Sequence, residues 1–425
     1  MKRVLLLMTV NTYRASAYLV AAERAGVLSV VGTDRPDALA GLTPGGSLVL
    51  DFHAPEKAAG DIETFAREHP LDAVIAVDDD TVIAGAMAAQ ALGLPAHTVE
   101  GARATRSKYE LRKILDEEGL PSPGFRLVAA GEDPAPIARS LGYPCVLKPT
   151  FLAGSQGVIR ANSEAEFSAA YRRIGKILEE AGTKERGGAE AGSILVEDYI
   201  PGREAALEGL VAGGALHVLA IFDKPDPMEG PFFEETIYVT PSRLPEKTQA
   251  EIIRAVDRAA KAIGLRDGPV HAEVRVNDDG VWVIDIASRT IGGKCSGALE
   301  FGEGASLEEL IIARALGREP PAISRAGAAS GVMMIPIPGR GILRGIEGME
   351  EALEVPGVRS IDISIQTGGL VVPLPEGNRY LGFIFAGGET PAEAEGALRR
   401  AHAQLKFHIE PEAGSWKDPE EDPEI

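Results

Sequence analysis

The sequence is poor in cysteine, in long apolar runs and in positive charge. Its 425 residues include two cysteines, Cys145 and Cys295, whose separation is not that of a metal-ligand pair. So little cysteine favours a reducing compartment. No apolar stretch approaches the roughly 18 residues of a membrane span, and the run 4–10 is too short for the core of a signal peptide. We therefore expect a cytoplasmic protein with no membrane partner.

Acidic residues outnumber basic residues by 63 to 43, which gives a net charge of −20. The last fifteen residues, from Pro411, hold six acids and one lysine, so part of the excess lies in a polar tail. The remainder is still acidic, which argues against nucleic acid as a partner. An acidic protein can bind anions only through local features such as helix N-termini, buried Lys or Arg side chains and metal ions.

Two common nucleotide-binding motifs are also missing. The predicted first strand is followed by TVNTYRAS, which lacks the glycine fingerprint of a dinucleotide site. The Gly/Ser loop 151–158 (FLAGSQGV) lacks the Walker pattern. Its backbone N–H groups can nevertheless cradle phosphates. The loop directly follows Lys148, which lies at the end of a short apolar strand predicted at 143–149.

At this length we expect about two or three domains. Residues 1–95 alternate predicted strands and helices, which is the pattern of a doubly wound α/β unit with a parallel sheet. From Gly331 the character changes: strands, a glycine-rich turn at 339–348 and a helix capped by Thr390 predict a small α+β domain of about eighty residues. The predicted N-terminal strands are 3–8, 28–32, 47–50 and 73–77, and the helices are 13–25, 56–68 and 81–92.

The segment Gly268–Gly293, GPVHAEVRVNDDGVWVIDIASRTIGG, predicts two strands joined by a tight turn. In the first strand apolar residues alternate with polar ones such as Glu273, which gives one apolar and one polar face. In the second strand Asp285 is an acid within an apolar run, and strict alternation places it on the same face as Val283.

The length of the turn decides whether the two acids meet. Asp278–Gly280 supplies a three-residue loop with glycine in the left-handed position. This loop places Glu273 directly opposite Asp285, with Cβ atoms roughly 5 Å apart. Like charges in such a pair repel, so we expect a bound cation, and Mg²⁺ takes carboxylate oxygens and usually comes with substrate phosphates. The alternative interpretation is a surface hairpin with two solvated acids.

A second candidate site lies at the start of a predicted helix through Leu115. Ser107 and Glu110 form a capping-box pattern, and Lys108 lies between them at the positive end of the helix dipole. A bound phosphate would relieve that unfavourable placement of a cation. The alternative is a lysine that simply points into water.

In order along the chain, these features resemble the ATP-grasp superfamily across essentially the whole length, and most closely its L-amino acid ligase branch of carboxylate–amine ligases. Two later runs, PIPGRGILRGIEG and NRYLGFIFAGGETP, are similar to the small C-terminal domain of that branch. The resemblance rests on the order of motifs that are weak individually. They are Lys108, Lys148, the Gly/Ser loop, the run Glu197–Glu204 (EDYIPGRE), the acid pair, and Arg289 with Gly292 and Gly293.

The resemblance implies a mixed α/β and α+β architecture, the ATP-grasp fold. It implies an N-terminal Rossmann-like pre-grasp domain at 1–95 and an ATP-grasp domain at 96–330, with a lid subdomain at about 125–205. A C-terminal domain of the L-amino acid ligase type would follow at 331–412, and an acidic tail at 413–425.

The resemblance also implies roles for individual residues. Lys148 and Arg289 would be catalytic, and Glu273 and Asp285 would bind one or two Mg²⁺ ions, with Mn²⁺ as an alternative. The amino-acid pocket would be lined by His271, Lys224, Arg289, Gly292 and Gly293, near the loop GPFFEE at 230–235. ATP would be held by Lys108, Lys148, Ala153, Gly154, Ser155, Gly157, Glu197, Asp198, Ile200 and Glu204.

The implied activity is an ATP-dependent carboxylate–amine ligase. It would join an amino acid or similar carboxylate to an amine through an acyl phosphate, releasing ADP and phosphate. Its partners would be small molecules, and the branch also implies a homodimer. The family often has Glu and Asn where this chain has Asp285 and Ala287. Two alternatives stay open: an ATP-grasp enzyme of the biotin-carboxylase or carbamoyl-phosphate type that uses bicarbonate, and a non-catalytic ATP-binding module.

Overall fold

The structure is a computed structural model that describes residues 1–36, 43–302, 304–318, 325 and 327–412. The acidic tail predicted at 413–425 lies outside the described residues. Among the helices of the described ranges, none is long and apolar enough to cross a membrane.

The N-terminal unit contains a four-stranded parallel sheet with strand order β3-β2-β1-β4. Side chains of β1 alternate between two cores: Val4 and Leu6 pack with α1, and Leu5 and Leu7 pack with α2 and α3. The predicted doubly wound unit is therefore confirmed. Its elements are β1 (Arg3–Leu7), α1 (Ala15–Arg24), β2 (Leu28–Thr33), β3 (Ser47–Val49), α2 (Pro55–Glu68), β4 (Ala73–Ala76) and α3 (Val82–Ala91).

Two helices then lead into a smaller antiparallel sheet with strand order β5-β8-β6-β7. We call the part from β5 to β8, residues 125–198, the lid. Its long helix covers one face of the sheet with buried Phe167, Ile174 and Ile177. The elements are α4 (Val99–Arg106), α5 (Lys108–Glu117), β5 (Phe125–Ala129), α6 (Pro134–Ala138), β6 (Cys145–Pro149), β7 (Ile159–Ala161), α7 (Glu164–Glu179), α8 (Ala181–Gly187) and β8 (Ser193–Asp198).

The third sheet has eight strands in the order β13-β12-β9-β10-β11-β14-β18-β16. Its first five strands along the chain are β9 (Arg203–Ala212), β10 (Ala215–Asp223), β11 (Ile237–Thr240), β12 (Gly268–Asn277) and β13 (Gly280–Ala287). Helix α9 (Glu246–Ala262) lies between β11 and β12 in the chain, and α10 (Leu307–Ala315) follows β13. The C-terminal segment contributes three further strands of this sheet, β14 (Ala329–Ile335), β16 (Val358–Ile363) and β18 (Gly382–Gly388), together with α11 (Met349–Leu353) and α12 (Pro391–Gln404). Its other strands, β15 (Gly341–Glu347), β17 (Leu370–Val371) and β19 (Lys406–Pro411), form a separate sheet in the order β17-β15-β19.

The sheet therefore extends past Gly331, where the sequence predicts the start of a small α+β domain, because β14 pairs with β11 along four residues. The glycine-rich turn predicted at 339–348 is wrong, since Gly341–Glu347 forms a strand between β17 and β19. The final helix follows the prediction: Pro391 begins it, and the Thr390 side chain accepts the backbone N–H of Glu393.

The β12–β13 hairpin confirms that Glu273 lies opposite Asp285, but for a different reason from the predicted one. The turn has two residues, Asp278 and Asp279, and not three, because Asn277 pairs with Gly280. A β-bulge between the pairs 274–283 and 273–285 then inserts Ile284 and restores the pairing of the acids. Consequently Asp285 does not share a face with Val283, which is buried in the core against α9.

Candidate active site

A cleft of about 1200 Å³ lies where the N-terminal unit, the lid and the eight-stranded sheet meet. The C-terminal segment also contributes to its wall, through residues 362–364 and 378–383. Of the residues predicted for the site, Lys224 and Gly157 do not line the cleft. The others do: Lys108, Lys148, Ala153, Gly154, Ser155, Glu197, Asp198, Ile200, Glu204, His271, Glu273, Asp285, Arg289, Gly292 and Gly293.

Lys148 lies near the end of β6 and is bonded to Glu197 of β8, with 2.6 Å between Nζ and Oε2. The second oxygen of Glu197 lies 2.8 Å from Nε of Arg112, a fully buried arginine of α5 that also donates to the Ile284 carbonyl. Burial raises the pKa of Glu197, but the two cations outweigh it and hold that pKa below its ordinary value. Burial, helped by Arg112 and Lys108, lowers the pKa of Lys148. The Lys148 ammonium thus faces the cleft from a fixed, buried position.

Lys108 begins α5, and the Ser107 side chain caps that helix by accepting the N–H of Glu110. The side chain of Lys108 does not point into water. Its Nζ lies 2.7 Å from Oδ2 of Asp285 and only 15% of the side chain is exposed. The helix start therefore places a lysine against the second strand of the hairpin, inside the cleft.

Lys224 is buried at the centre of three carboxylates. Its Nζ donates to Glu204 at 2.7 Å, to Glu235 at 2.6 Å and to Glu273 at 3.1 Å. Burial works to lower the pKa of Lys224, but the three carboxylates raise it well above its ordinary value. Glu204 also accepts from Arg275 at 3.0 Å, and Arg275 in turn donates to the Ile200 carbonyl. Glu204 and Ile200, two of the residues expected to hold ATP, are thus tied to buried cations.

His271 precedes Glu273 by two residues on the same face of β12. Its Nδ1 lies 3.2 Å from Glu208 Oε2, and its Nε2 lies 3.7 Å from Glu273 Oε1. Glu208 also accepts the backbone N–H of Ile291, just before the glycine pair. This chain of contacts connects the hairpin to the loop that carries Arg289.

Arg289 is held by an acid from the N-terminal unit that the sequence analysis did not select. Its Nε donates to Asp79 Oδ2 at 2.9 Å. Burial raises the pKa of Asp79, but Arg289, Arg106 and Arg14 outweigh it and hold that pKa well below its ordinary value. The neighbouring acid Asp78 contacts Arg14 at 3.2 Å. The position just after β4 was the available signal, because ligands of open α/β sheets collect at the carboxyl ends of strands.

The glycine pair lies beside the N-terminal unit as well. The backbone N–H of Gly293 donates to the hydroxyl of Tyr13 at 2.7 Å. Gly293 has φ +58°, and a Cβ there would lie 2.5 Å from the sulfur of Met334. Glycine is therefore required at this position, both for its backbone conformation and for space.

Comparisons with known proteins cover most of the chain. A model of the ATP-grasp domain matches residues 141–298, and a model of the ATP-grasp N-terminal domain matches 19–96. A model of the L-amino acid ligase C-terminal domain 2 matches 333–410. The chain belongs to the ATP-grasp superfamily and carries a C-terminal domain of the L-amino acid ligase type.

Among solved structures, the L-amino acid ligase from Bacillus licheniformis is similar to this ATP-grasp chain with a TM-score of 0.80 and 27% identity, over 96% of this chain and 99% of that one. Biotin carboxylase from Campylobacter jejuni is 17% identical with a TM-score of 0.63, over 96% and 92% of the two chains, which is a likeness of fold alone.

Among curated proteins, alanine–anticapsin ligase of Bacillus subtilis (strain 168) is 27% identical over 276 residues, 62% of this chain and 58% of that protein. The D-alanine–D-alanine ligase of Delftia acidovorans is 29% identical over 231 residues, 51% of this chain and 66% of that protein. The match thus spans little more than half the length of the alanine–anticapsin ligases.

The donor set of the cleft fits a magnesium ion. Glu273 and Asp285 face each other across the hairpin, and both carboxylates keep partial exposure, 23% and 32%. Each carboxylate already accepts a hydrogen bond from a lysine ammonium, so the oxygens of both are oriented toward positive charge. Two carboxylates with substrate phosphates are a usual set for Mg²⁺. Ala287, which pairs with His271, offers no side-chain oxygen for an additional ligand.

Proposed function

We propose that this chain is an ATP-dependent carboxylate–amine ligase that joins an amino acid, or a similar carboxylate, to an amine. The observation that carries the proposal is that Lys108, Lys148, Arg289 and the acid pair converge on one cleft. Part of the wall of that cleft comes from the segment that matches the L-amino acid ligase C-terminal domain. The peptide-forming relatives support the same reaction class.

The proposed nucleotide site lies between the lid and the hairpin. Lys148, oriented by Glu197, and Lys108 would contact the phosphates, and the loop of Ala153, Gly154, Ser155 and Gly157 would cover them. Backbone groups of Glu197, Asp198 and Ile200 would contact the adenine, and Glu204 lies next to them for the ribose. Glu273 and Asp285 would hold one or two Mg²⁺ ions, or Mn²⁺, whose charge helps to neutralise the phosphates.

The proposed reaction has two steps. A carboxylate oxygen of the first substrate attacks the γ-phosphorus of ATP, the bond to the β–γ bridging oxygen breaks, and ADP leaves. The nitrogen of the second substrate then attacks the acyl carbon, phosphate leaves with the oxygen that bridged carbon and phosphorus, and the nitrogen loses a proton. Lys148 would stabilise charge in the first step, and Arg289 in both, with its guanidinium oriented by Asp79.

The amino-acid end of the cleft lies past Arg289. His271 would line it from the sheet, and Lys224 would act from behind by holding Glu235 and Glu273 in place. Gly292 and Gly293 would offer backbone N–H groups, and Tyr13, Tyr380 and Phe383 add an aromatic wall, with ring centroids of Phe383 6.4 Å from Tyr13 and 6.0 Å from Tyr380. We propose small-molecule substrates, a cytoplasmic location and a homodimer, as the resemblance implies.

The two alternative functions have less support than the ligase proposal. A bicarbonate-using enzyme is supported only by a likeness of fold, at 17% identity to biotin carboxylase. A non-catalytic module is suggested by Ala287, but the two lysines, both acids and Arg289 are all retained in the cleft. Neither alternative therefore has an observation of its own that outweighs the ligase proposal.

A phosphate-release screen over pairs of amino acids, with mass detection of the product, tests the proposal. We expect ADP and phosphate to appear only when an acid and an amine are both present, together with a product of the mass of their amide. A requirement for bicarbonate would favour the carboxylase alternative. Nucleotide binding without ADP release under any pair would favour the non-catalytic module.

A further inference from the structure

The lid's Gly/Ser loop is held from outside by the C-terminal segment. The backbone N–H of Gly157 donates to the Pro375 carbonyl at 2.9 Å, and Nε2 of Gln156 donates to the Glu376 carbonyl at 2.8 Å. Asn378 donates from its side-chain amide to Gln156 Oε1 at 3.4 Å. We call residues 372–378, which lie between β17 and β18, the C-terminal latch. All three contacts join it to the loop proposed to cover the phosphates.

An ion pair joins the same two parts of the molecule. Arg173 of α7 meets the Glu376 carboxylate with two bonds, 2.6 Å from Nε to Oε1 and 2.9 Å from Nη2 to Oε2. The two side chains are only 23% and 31% exposed. Two-bond pairs of this kind fix geometry as well as adding energy. The latch thus contacts the lid at its loop and at its long helix.

The opposite side of the lid is tied to the N-terminal unit. Arg186 of α8 donates to Asp80 at 2.9 Å, and Asp80 also accepts from Arg106 at 2.8 Å. The lid is therefore closed over the cleft by contacts on two sides, one of which the C-terminal segment supplies. Nothing in the proposed chemistry uses Glu376, Arg173 or the latch directly.

We propose that Glu376 is a positioning residue, and that the C-terminal latch holds the Gly/Ser loop over the nucleotide so that water is kept from the acyl phosphate. The inference rests on the proposed function. An acyl phosphate that meets water is hydrolysed, and a closed lid is what prevents this. The Glu376 side chain acts through Arg173 and touches no reacting atom, while its backbone carbonyl accepts from Gln156. The C-terminal segment thereby determines how much of the ATP turned over ends in an amide bond.

The test compares Glu376→Ala with wild type in the full chain, with an acid and amine pair that the wild type joins. We expect the ratio of ADP released to amide formed to rise about three- to tenfold, since a two-bond ion pair is lost. The KM values for the two amino-acid substrates should stay within about twofold, because the latch contacts the lid and not those substrates. Glu410→Ala is the matched control, since it removes an exposed ion pair with Arg344, a residue of β15 and not of the lid.

Charge reversal separates positioning from a general loss of stability. Arg173→Glu alone should uncouple ATP use from ligation, and the double variant Arg173→Glu/Glu376→Arg should restore most of the coupling. Hydrogen exchange of residues 152–158 gives a readout that does not need turnover: a non-hydrolysable ATP analogue should protect this loop in wild type and less in Glu376→Ala.

Equal ADP-to-amide ratios and equal loop protection in wild type and Glu376→Ala would overturn the proposal that the latch holds the loop. Failure of the double variant to recover coupling while both single variants remain folded would also overturn it. If wild type releases no ADP with any substrate pair, the ligase proposal fails, and loop protection by the analogue still decides whether the latch holds the lid.

Discussion

At the scale of single residues, the cleft is built from acids and cations that hold each other in place. Glu197 orients Lys148 and Asp79 orients Arg289, while Asp285 accepts Lys108 and Glu273 accepts Lys224. The cleft of this acidic chain thereby contains fixed positive groups, which are the local features through which such a chain can bind an anion. Because these groups are already held in place by their partners, the proposed reaction would need little reorganisation of the site.

The metal assignment predicts the effect of neutralising either acid of the hairpin. Glu273→Gln or Asp285→Asn should lower ADP release by about a hundredfold or more, because each replaces an anionic ligand with a neutral amide. Thermal unfolding should show that the fold is kept. Glu347→Gln, which affects an exposed acid near His408, is the control. Turnover like that of wild type in either acid variant would refute the assignment.

The buried side chain of His97 leads us to expect that the free energy of unfolding depends on pH. Its Nε2–H donates to the Pro269 carbonyl and its Nδ1 accepts the N–H of Arg266, at 2.9 and 3.1 Å. Burial lowers the pKa of His97 from 6.5 to about 4. The neutral ring therefore stabilises the folded state fully above pH 6.5, and this contribution is lost as the pH falls toward 4.

Between pH 7 and pH 5 this single group should remove about 2 kcal/mol from the free energy of unfolding. Urea unfolding of wild type and His97→Gln at the two pH values measures the effect. Glutamine keeps a donor and an acceptor but does not titrate, so its stability should fall less between pH 7 and pH 5. An equal fall in both proteins would show that His97 does not titrate in this range.

Residue patterns could predict Lys148, Lys108 and the acid pair, because each has a local signal such as a strand end or a helix start. They could not predict the long-range ion pairs that hold the arginines of the site in place. Arg112 meets Glu197 across 85 residues of chain and Arg289 meets Asp79 across 210. Such pairs form only because the sheets bring distant segments together, and nothing in the neighbourhood of either residue indicates the partner.

At the scale of elements, the hairpin shows how a correct pairing can rest on an incorrect turn. Alternation and loop length together predict Glu273 opposite Asp285, and the structure pairs them. It does so with a shorter turn and a bulge at Ile284, which shift the register by one residue each and cancel. A bulge leaves no fixed trace in the alternation of a single strand, so its position could not be read from the sequence.

The capping of α10 supplies a prediction for one element. The Ser306 side chain accepts the N–H of Glu309, and the Glu309 carboxylate accepts the N–H of Ser306. Ser306→Ala should lower the free energy of unfolding by about 1 kcal/mol, because one N-terminal N–H loses its acceptor. Urea unfolding measures this, and ADP release should not change. A loss below about 0.3 kcal/mol would contradict the role of the cap.

At the scale of the whole molecule, the C-terminal segment continues the central sheet. Strand β14 pairs with β11, and the buried side chains of Ile237 and Val239 belong to the same core as Leu398 of α12. Composition changes near Gly331 and predicts a small α+β domain there. It cannot show that the strands of this segment extend an existing sheet, because edge pairing depends on backbone groups that every residue carries.

Removal of residues 329–425 is therefore predicted to destroy more than the C-terminal segment. It would expose β11, whose four residues are all buried, as a new sheet edge. We expect the remaining 1–328 to aggregate or to lose cooperative unfolding, as measured by size-exclusion chromatography and urea titration. A monomeric 1–328 that unfolds cooperatively near the wild-type midpoint would show that the sheet does not depend on this contact.

The central claim is that the cleft activates a carboxylate by phosphorylation. The most direct measurement uses an acid substrate labelled with ¹⁸O in its carboxylate, together with ATP and an amine that wild type joins to it. The proposed reaction transfers one labelled oxygen from the acid to each phosphate, detected by mass spectrometry of the phosphate. Phosphate free of label, or release of AMP in place of ADP, would contradict the account.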